Sequence, residues 1–319
     1  GKPELRRAIA AHYDREYGVT VDPDRVVVTP GTSPGLFLAM AASVDPGDEV
    51  VLTDPHYACY PNFVRVVGGE MRTVTLRASE GFRPRVDDFA AAVGPDTSAL
   101  LLNSPANPTG AVLDGETLAG LAEVAADADA TPVVDEVYHG LSYDAAAHTM
   151  LEYTDDAFVL NGFSKRFAMT GWRLGWVIVP PDYVDAVNRL AQNVLICAPN
   201  FVQDAGVAAL ETPADRLDEI RETYRERRDL LVDAVEDWGL DLGYTPQGAY
   251  YLLADVSGLP GDALDVADLF LEAGVAVTPG VDFGDAAADY LRLSYATDAG
   301  AIETAVGRID RLLATVERD

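Results

Sequence analysis

Short β-rich runs alternate with helical stretches through the first two-thirds of the chain, and this alternation predicts an α/β fold. The expected large domain is a mostly parallel sheet covered by helices on both faces, because parallel neighbours are joined by crossover helices. A second observation is the change of character near Pro213, where a long charged helix leads into further β-rich runs and helices. It predicts a smaller α+β C-terminal domain. Residues 1–214 are expected to form the large domain, and 215–319 the connecting helix and the small domain.

The elements follow from local signals. Pro3 and Glu4 suit a first helical turn, Leu5, Ile9 and Tyr13 recur every four residues, and Gly18 stops the helix. Residues 26–29 read as a strand, followed by a turn and a helix around 36–42. Strand 49–53 leads to a helix across 61–67 and a strand at 71–76. Later strands are 98–102, 132–134 and 157–160, with helix 118–128 between the first two. The charged helix spans 215–236 and ends at Trp238-Gly239. Beyond it come β-rich runs at 249–254, 275–278 and 290–295, a helix near 263–272 and a final helix at 299–316. No internal repeat or low-complexity segment interrupts this order.

Composition narrows the function. At 34.1 kDa and 49% apolar residues, the chain can bury a large core. Its net charge of −29 is spread along the whole length, which suits solubility in concentrated salt and resembles proteins of salt-accumulating microbes. Such a surface repels nucleic acid and anionic membrane, so neither is expected as a partner. No stretch reaches a bilayer-spanning apolar length and no signal peptide opens the chain, so the expected location is cytoplasmic. Cys59 and Cys197 lie far apart, without a CxxC or a histidine at ligand spacing. They are expected to be ordinary buried thiols, and no metal site is expected. His56 and His139 adjoin candidate sites and are read as solvent-facing or packing residues.

Lys165 is one of two lysines in 319 residues, in a chain that otherwise uses arginine. Arginine keeps its proton, whereas a lysine amine can lose it and attack a carbonyl. Lys165 sits in Gly162-Phe163-Ser164-Lys165-Arg166-Phe167-Ala168-Met169-Thr170-Gly171-Trp172-Arg173-Leu174-Gly175. This segment resembles the pyridoxal 5′-phosphate (PLP) attachment segment of the class I/II aminotransferases, aspartate aminotransferase-like enzymes of PLP fold type I. The resemblance implies that Lys165 joins the cofactor through a Schiff base.

Four polar clusters follow expected strands at their carboxyl ends, the edge where open α/β sheets bind ligands. Gly31-Thr32-Ser33-Pro34 offers a helix N-terminus to a phosphate, with Pro34 expected at the first helical position. Arg173 and Ser164 are expected to join it there. Asp135, after Val133-Val134, is expected to be buried and to need a cation, a role that a protonated pyridine nitrogen fills. Tyr138, three residues on, completes an element similar to the family's Asp-x-x-Tyr and could donate to the ring's phenolic oxygen. Asn103-Ser104-Pro105-Ala106-Asn107-Pro108-Thr109-Gly110 resembles the family's Asn-Pro-x-Gly loop. That implies that Asn107 holds the phenolic oxygen and orients the substrate carboxylate. Tyr57 matches the position of an aromatic ring stacked on the pyridine. Arg292, in Tyr290-Leu291-Arg292-Leu293-Ser294, resembles the arginine that grips the substrate α-carboxylate and would draw the two domains together.

The resemblance covers nearly the whole chain. It implies amino-group transfer from an α-amino acid to a 2-oxo acid, by ping-pong kinetics, in a homodimer. The chain opens on Gly1 rather than methionine, and the resemblance implies a preceding segment with a substrate-covering arm and a tyrosine reaching the partner's phosphate. Neither is present in this sequence. A PLP-dependent β-elimination lyase shares every element above. A non-catalytic PLP-binding regulator and an inactive truncated scaffold are the other readings. The side chain accepted is not encoded legibly: no second arginine or lysine is placed for a dicarboxylic substrate, and Ser33 stands where some aspartate-specific relatives have lysine.

Overall fold

The structure is a computed structural model that describes residues 1–315. Helix α1 (Pro3–Tyr17) ends at Gly18, whose left-handed φ of 68° lets the last carbonyls be capped. Strand β1 (Val26–Thr29) then leads into α2 (Thr32–Ser43), and β2 (Glu49–Asp54) into α3 (Tyr60–Val66). After β3 (Glu70–Thr75) come α4 (Val86–Ala92), β4 (Thr97–Asn103), α5 (Gly115–Asp127) and β5 (Thr131–Asp135). Strands β6 (Phe158–Gly162) and β7 (Gly175–Ile178) complete a seven-stranded sheet of order β1-β7-β6-β5-β4-β2-β3.

Within each strand, alternate residues enter different cores. Val26, Val28, Leu100, Leu102, Val134, Val159, Trp176 and Ile178 pack with Leu5, Ile9, Leu118 and Leu121 on one face. Val27, Leu101, Val133, Phe158, Leu160 and Val177 pack with Leu36, Met40 and Val187 on the other. The two-residue repeat of a strand therefore buries both faces, as a helix-covered parallel sheet requires.

Strand β7 is the main addition to the sequence reading, which ended the lysine segment at Gly175. It runs antiparallel to both β1 and β6, pairing Gly175 with Thr29 and with Gly162. Its four residues are all buried, so they show no alternating pattern to mark a strand. Because β7 is reversed, its amino end lies on the same sheet edge as the carboxyl ends of β1, β4, β5 and β6. Arg173 therefore arrives where Gly31, Asn103, Asp135 and the lysine segment already converge.

Helices α6 (Val184–Val194) and α7 (Asn200–Leu210) follow, and then the long α8 (Ala214–Asp237). Strands β8 (Tyr251–Asp255), β9 (Thr278–Pro279) and β10 (Tyr290–Ser294) form an antiparallel sheet of order β8-β10-β9. Helices α9 (Ala263–Glu272) and α10 (Ala299–Leu313) join α8 over it, with Leu231, Trp238, Val266, Phe270 and Ile309 in a shared core. Of the run expected at 275–278 only residue 278 is strand, because just Leu291 and Arg292 of β10 find partners there. Residue 316, the last of the expected final helix, lies outside the described residues. The loop after β4 meets the segment before β8 through main-chain contacts, the Gln247 and Gly248 N–H groups donating to the Gly110 carbonyl at 2.9 Å.

Two further expectations are corrected. Pro34 occupies the third position of α2, which begins at Thr32 after an N-cap Gly31 with φ of 100°. The thiols are not buried: Cys59 is half-buried, and Cys197 is exposed in the connection between α6 and α7.

Gly175 sets how closely the β1–α2 turn approaches the sheet. A Cβ there would lie 2.8 Å from the Gly31 carbonyl carbon, 3.0 Å from the Thr32 nitrogen and 3.1 Å from the Asn161 oxygen. All three are backbone atoms that cannot rotate away. Gly175→Ala is therefore expected to lower stability by about 1–3 kcal/mol in urea unfolding, and an unchanged midpoint would contradict this packing.

Candidate functional site

A cleft of about 330 Å³ opens at the converging strand ends. Thr32, Ser33, Tyr57, Asn107, Asp135, Tyr138, Ser164, Lys165, Arg173 and Arg292 all line it, so the residues singled out from sequence come together with one partial exception. Gly31 lies just behind the wall, where a methyl group would overlap Arg173 Nη2.

One end of the cleft is built for an anion. Helix α2 starts without a side-chain cap, leaving its first N–H groups free. Arg173 lies over the Gly31 turn and donates from Nη1 to the Thr170 carbonyl at 3.0 Å. Thr170 Oγ1 in turn donates to the Ser164 carbonyl at 2.8 Å. Arg173 itself has a left-handed φ of 54° and is exposed, so its guanidinium retains free donors.

Asp135 closes β5 and is buried, at 7% exposure. Its Oδ2 accepts from Tyr60 Oη at 3.1 Å and its Oδ1 from the Val137 N–H at 3.1 Å. Burial outweighs these hydrogen bonds and the positive charge of Lys165, and pushes the carboxyl up to about 6. A cation in the cleft would offset that cost.

Lys165 Nζ donates to Tyr250 Oη and lies 5.2 Å from the centre of the Tyr138 ring and 5.1 Å from that of Tyr250. Burial lowers its pKa, with Arg173 and Arg292 acting in the same sense, while Tyr251 and Asp135 oppose it. Tyr138 Oη donates to Tyr251 Oη at 3.4 Å. The Tyr57 ring meets Tyr60 edge-on at 5.4 Å.

Arg292 projects from β10 toward the large sheet. Its Nη1 donates to Asn107 Oδ1 at 2.9 Å and its Nη2 to Thr278 Oγ1 at 3.2 Å. The guanidinium is held between the Tyr251 and Phe283 rings, at 4.3 and 4.6 Å, and its Nε is buried without a partner. A fork gripped by two rings, with donors to spare, suits a planar carboxylate.

Sequence reading assigned no role to Tyr60 or Asn103. Tyr60 is the first residue of α3, and a turn before it, closed by the Tyr60 N–H donating to the Tyr57 carbonyl at 2.9 Å, brings it beside Tyr57. Asn103 opens the proline-rich loop, but its contacts depend on strand register. His56 and His139 are both buried packing residues: His56 Nδ1 lies 3.0 Å from the Thr53 carbonyl and His139 Nδ1 2.8 Å from Tyr17 Oη.

The profile of the family described as aminotransferase class I and II matches residues 1–309. The chain belongs to this family. Valine–pyruvate aminotransferase of Mycobacterium tuberculosis is 40% identical over 97% of this chain and 81% of its own length. Aspartate/prephenate aminotransferase of Thermus thermophilus is 39% identical over 98% and 82%. Among solved structures, a mutant Thermus thermophilus aspartate aminotransferase superposes with a TM-score of 0.94 at 39% identity, covering 98% of this chain and 86% of that one. An aromatic aminotransferase from Pyrococcus horikoshii gives 0.95 at 33% identity, over 98% and 86%. The class I and II aminotransferases are PLP-dependent transferases, and this one transfers amino groups. Its cleft fits the cofactor on its own terms: uncapped helix donors and a free guanidinium at one end, and a buried carboxylate in need of a cation at the other.

The raised Asp135 carboxyl fixes the sign of a pH effect. A carboxyl whose folded value exceeds its ordinary 3.8 stabilises the fold fully below 3.8, and that contribution is lost as pH rises through about 6. In cofactor-free protein, Asp135→Asn should therefore gain about 1–3 kcal/mol over wild type above pH 6. The two should converge below 3.8 in denaturant titrations, and parallel profiles would contradict the assignment.

Proposed function

We propose that this aminotransferase moves the amino group of an α-amino acid to a 2-oxo acid through PLP, by ping-pong turnover. The observation that carries the reading is one cleft whose walls hold the Lys165 amine, the buried Asp135 carboxylate and the ring-clamped Arg292 fork. When bound, the cofactor supplies an electron sink for a carbanion at the substrate Cα.

The protein's residues would divide the remaining work. Thr32, Ser33, Ser164 and Arg173, with the Gly31 turn and the α2 N-terminus, hold the phosphate. Asp135 accepts a hydrogen bond from the protonated ring nitrogen, and Tyr60 keeps that carboxylate oriented. Tyr57, Asn107 and Tyr138, which line the same cleft, would hold the cofactor ring, Tyr57 by its aromatic face and the other two by hydrogen bonding. Arg292 grips the substrate carboxylate with Asn107 beside it. Lys165 links to the cofactor at rest. As a free amine its Nζ would serve as the base that takes the substrate Cα proton. Burial, by lowering the Lys165 pKa, leaves more of the free amine available as that base.

Four coarser features belong to the same proposal. Residues 1–214 and 215–319 act as two units joined at α8, which the separate sheets and the distinct core of the small sheet support, with Leu253, Phe283 and Ala287 of the second unit packed into the core of the first. The protein works as a homodimer, for which the exposed Trp172, Val194, Ile196 and Phe201 offer apolar surface. The dispersed charge of −29 suits a salt-rich cytoplasm. No helix among the described residues is long and apolar enough to cross a membrane.

With PLP and borohydride, wild type should retain a reduced pyridoxyl group on the peptide containing Lys165, and Lys165→Ala should retain none by mass spectrometry. A persistent adduct in the variant would refute the attachment site. Arg292→Ala should raise KM for amino donors by about ten- to hundred-fold, as the loss of a charge-assisted pair implies, with cofactor retention unchanged. An unaltered KM would remove Arg292 from substrate binding.

A further inference from the structure

Asn103 is the last residue of β4 and pairs in register with Asp135, the last residue of β5. Its side-chain amide is used at both ends. Nδ2 donates to the Asp135 carbonyl at 2.7 Å, and Oδ1 accepts the Asn107 N–H at 2.7 Å. Asn107 Oδ1 then accepts from Arg292 Nη1 at 2.9 Å. Hydrogen bonds thus tie Asn103 to the Asp135 main chain and to the Asn107 main chain, and the Asn107 side chain to Arg292.

The loop it holds has few other means of support from the sheet. Pro105 and Pro108 have no N–H to donate, and beyond the paired Asn103 the only main-chain bond from the loop to β5 among the described residues is the Ser104 N–H, which donates to the same Asp135 carbonyl at 3.2 Å. Holding both neighbours requires a donor and an acceptor on one short, rigid group, which a primary amide provides. Aspartate at this position would set an oxygen against the Asp135 carbonyl, and alanine would strip the Asn107 N–H of its partner and leave the Asp135 carbonyl to the Ser104 N–H alone.

We propose that Asn103 is a positioning residue that fixes Asn107, and through it Arg292, relative to Asp135. This rests on the proposed roles of Asp135 and Arg292 at the two ends of the reacting pair. One side chain then sets the distance between the ring-nitrogen anchor and the carboxylate anchor, which belong to different sheets.

Amide hydrogen exchange in the protein without cofactor tests the lock directly. Asn103→Ala should speed exchange in the segment containing the Asn107 amide by about tenfold or more, while the central β4 amides keep their rates. Unchanged exchange there overturns the proposal. In PLP-loaded protein, with L-valine and L-aspartate as probe donors, Asn103→Ala should raise KM about tenfold and alter kcat per cofactor-bearing site by less than about threefold. In an Asn107→Ala background the same change should add less than about twofold, since Asn103 acts through Asn107. Additive losses, or a fall in kcat alone that tracks loss of folded protein, indicate a structural role only and overturn it. Failure of wild type to fix PLP on Lys165 would sink the aminotransferase mechanism, and the exchange result would then decide the Asn103 lock by itself.

Discussion

A carboxyl group buried at the end of a central strand, with only neutral donors on it, is the constraint around which the cleft is arranged. Asp135 receives hydrogen bonds from Tyr60 and the Val137 N–H, and among the described residues no ion pair includes it. Lys165 acts on it through space and does not offset the cost of burial. A protein selected for stability alone would place an apolar residue here. A ligand cation bound in the cleft would offset the cost of burying this carboxylate, which makes Asp135 a functional rather than a structural group.

The sheet brings these groups together through register. Asn103 and Asp135 are paired residues, Gly162 pairs with Gly175, and Gly175 pairs again with Thr29. Strand ends that align in this way deliver the Gly31 turn, the lysine segment and Arg173 to one edge. The reversal of β7 is what allows Arg173 to precede its strand and still reach the Gly31 turn. The small sheet then adds Arg292 from the opposite side, with its guanidinium fixed by two aromatic rings before any substrate arrives.

Much of this was legible in the sequence because each chemical group needed a distinctive residue type in a distinctive local setting. Lys165 stood out by the scarcity of lysine, and Asn107 by its flanking prolines and glycine. Asp135 followed a run of valines that had to be buried. What escaped depended on three-dimensional neighbours. Strand β7 is apolar on both faces and carries no periodic signal, and Pro34 marked a helix start two residues late because Gly31 serves as the N-cap. The contacts of Tyr60 and Asn103 follow from register and helix placement, which no local pattern encodes. The thiol of Cys197 was misjudged because composition suggests burial for cysteine, whereas its position in a surface connection decides otherwise.

A crystal structure of the protein grown with PLP tests the central claim most directly. Continuous density from Lys165 Nζ to the C4′ carbon of the ring is expected, with the ring nitrogen at hydrogen-bonding distance from Asp135 and the phosphate over the α2 N-terminus beside Arg173. A cofactor bound elsewhere, or one whose nitrogen faces away from Asp135, would contradict the proposal that the buried carboxylate exists to hold it.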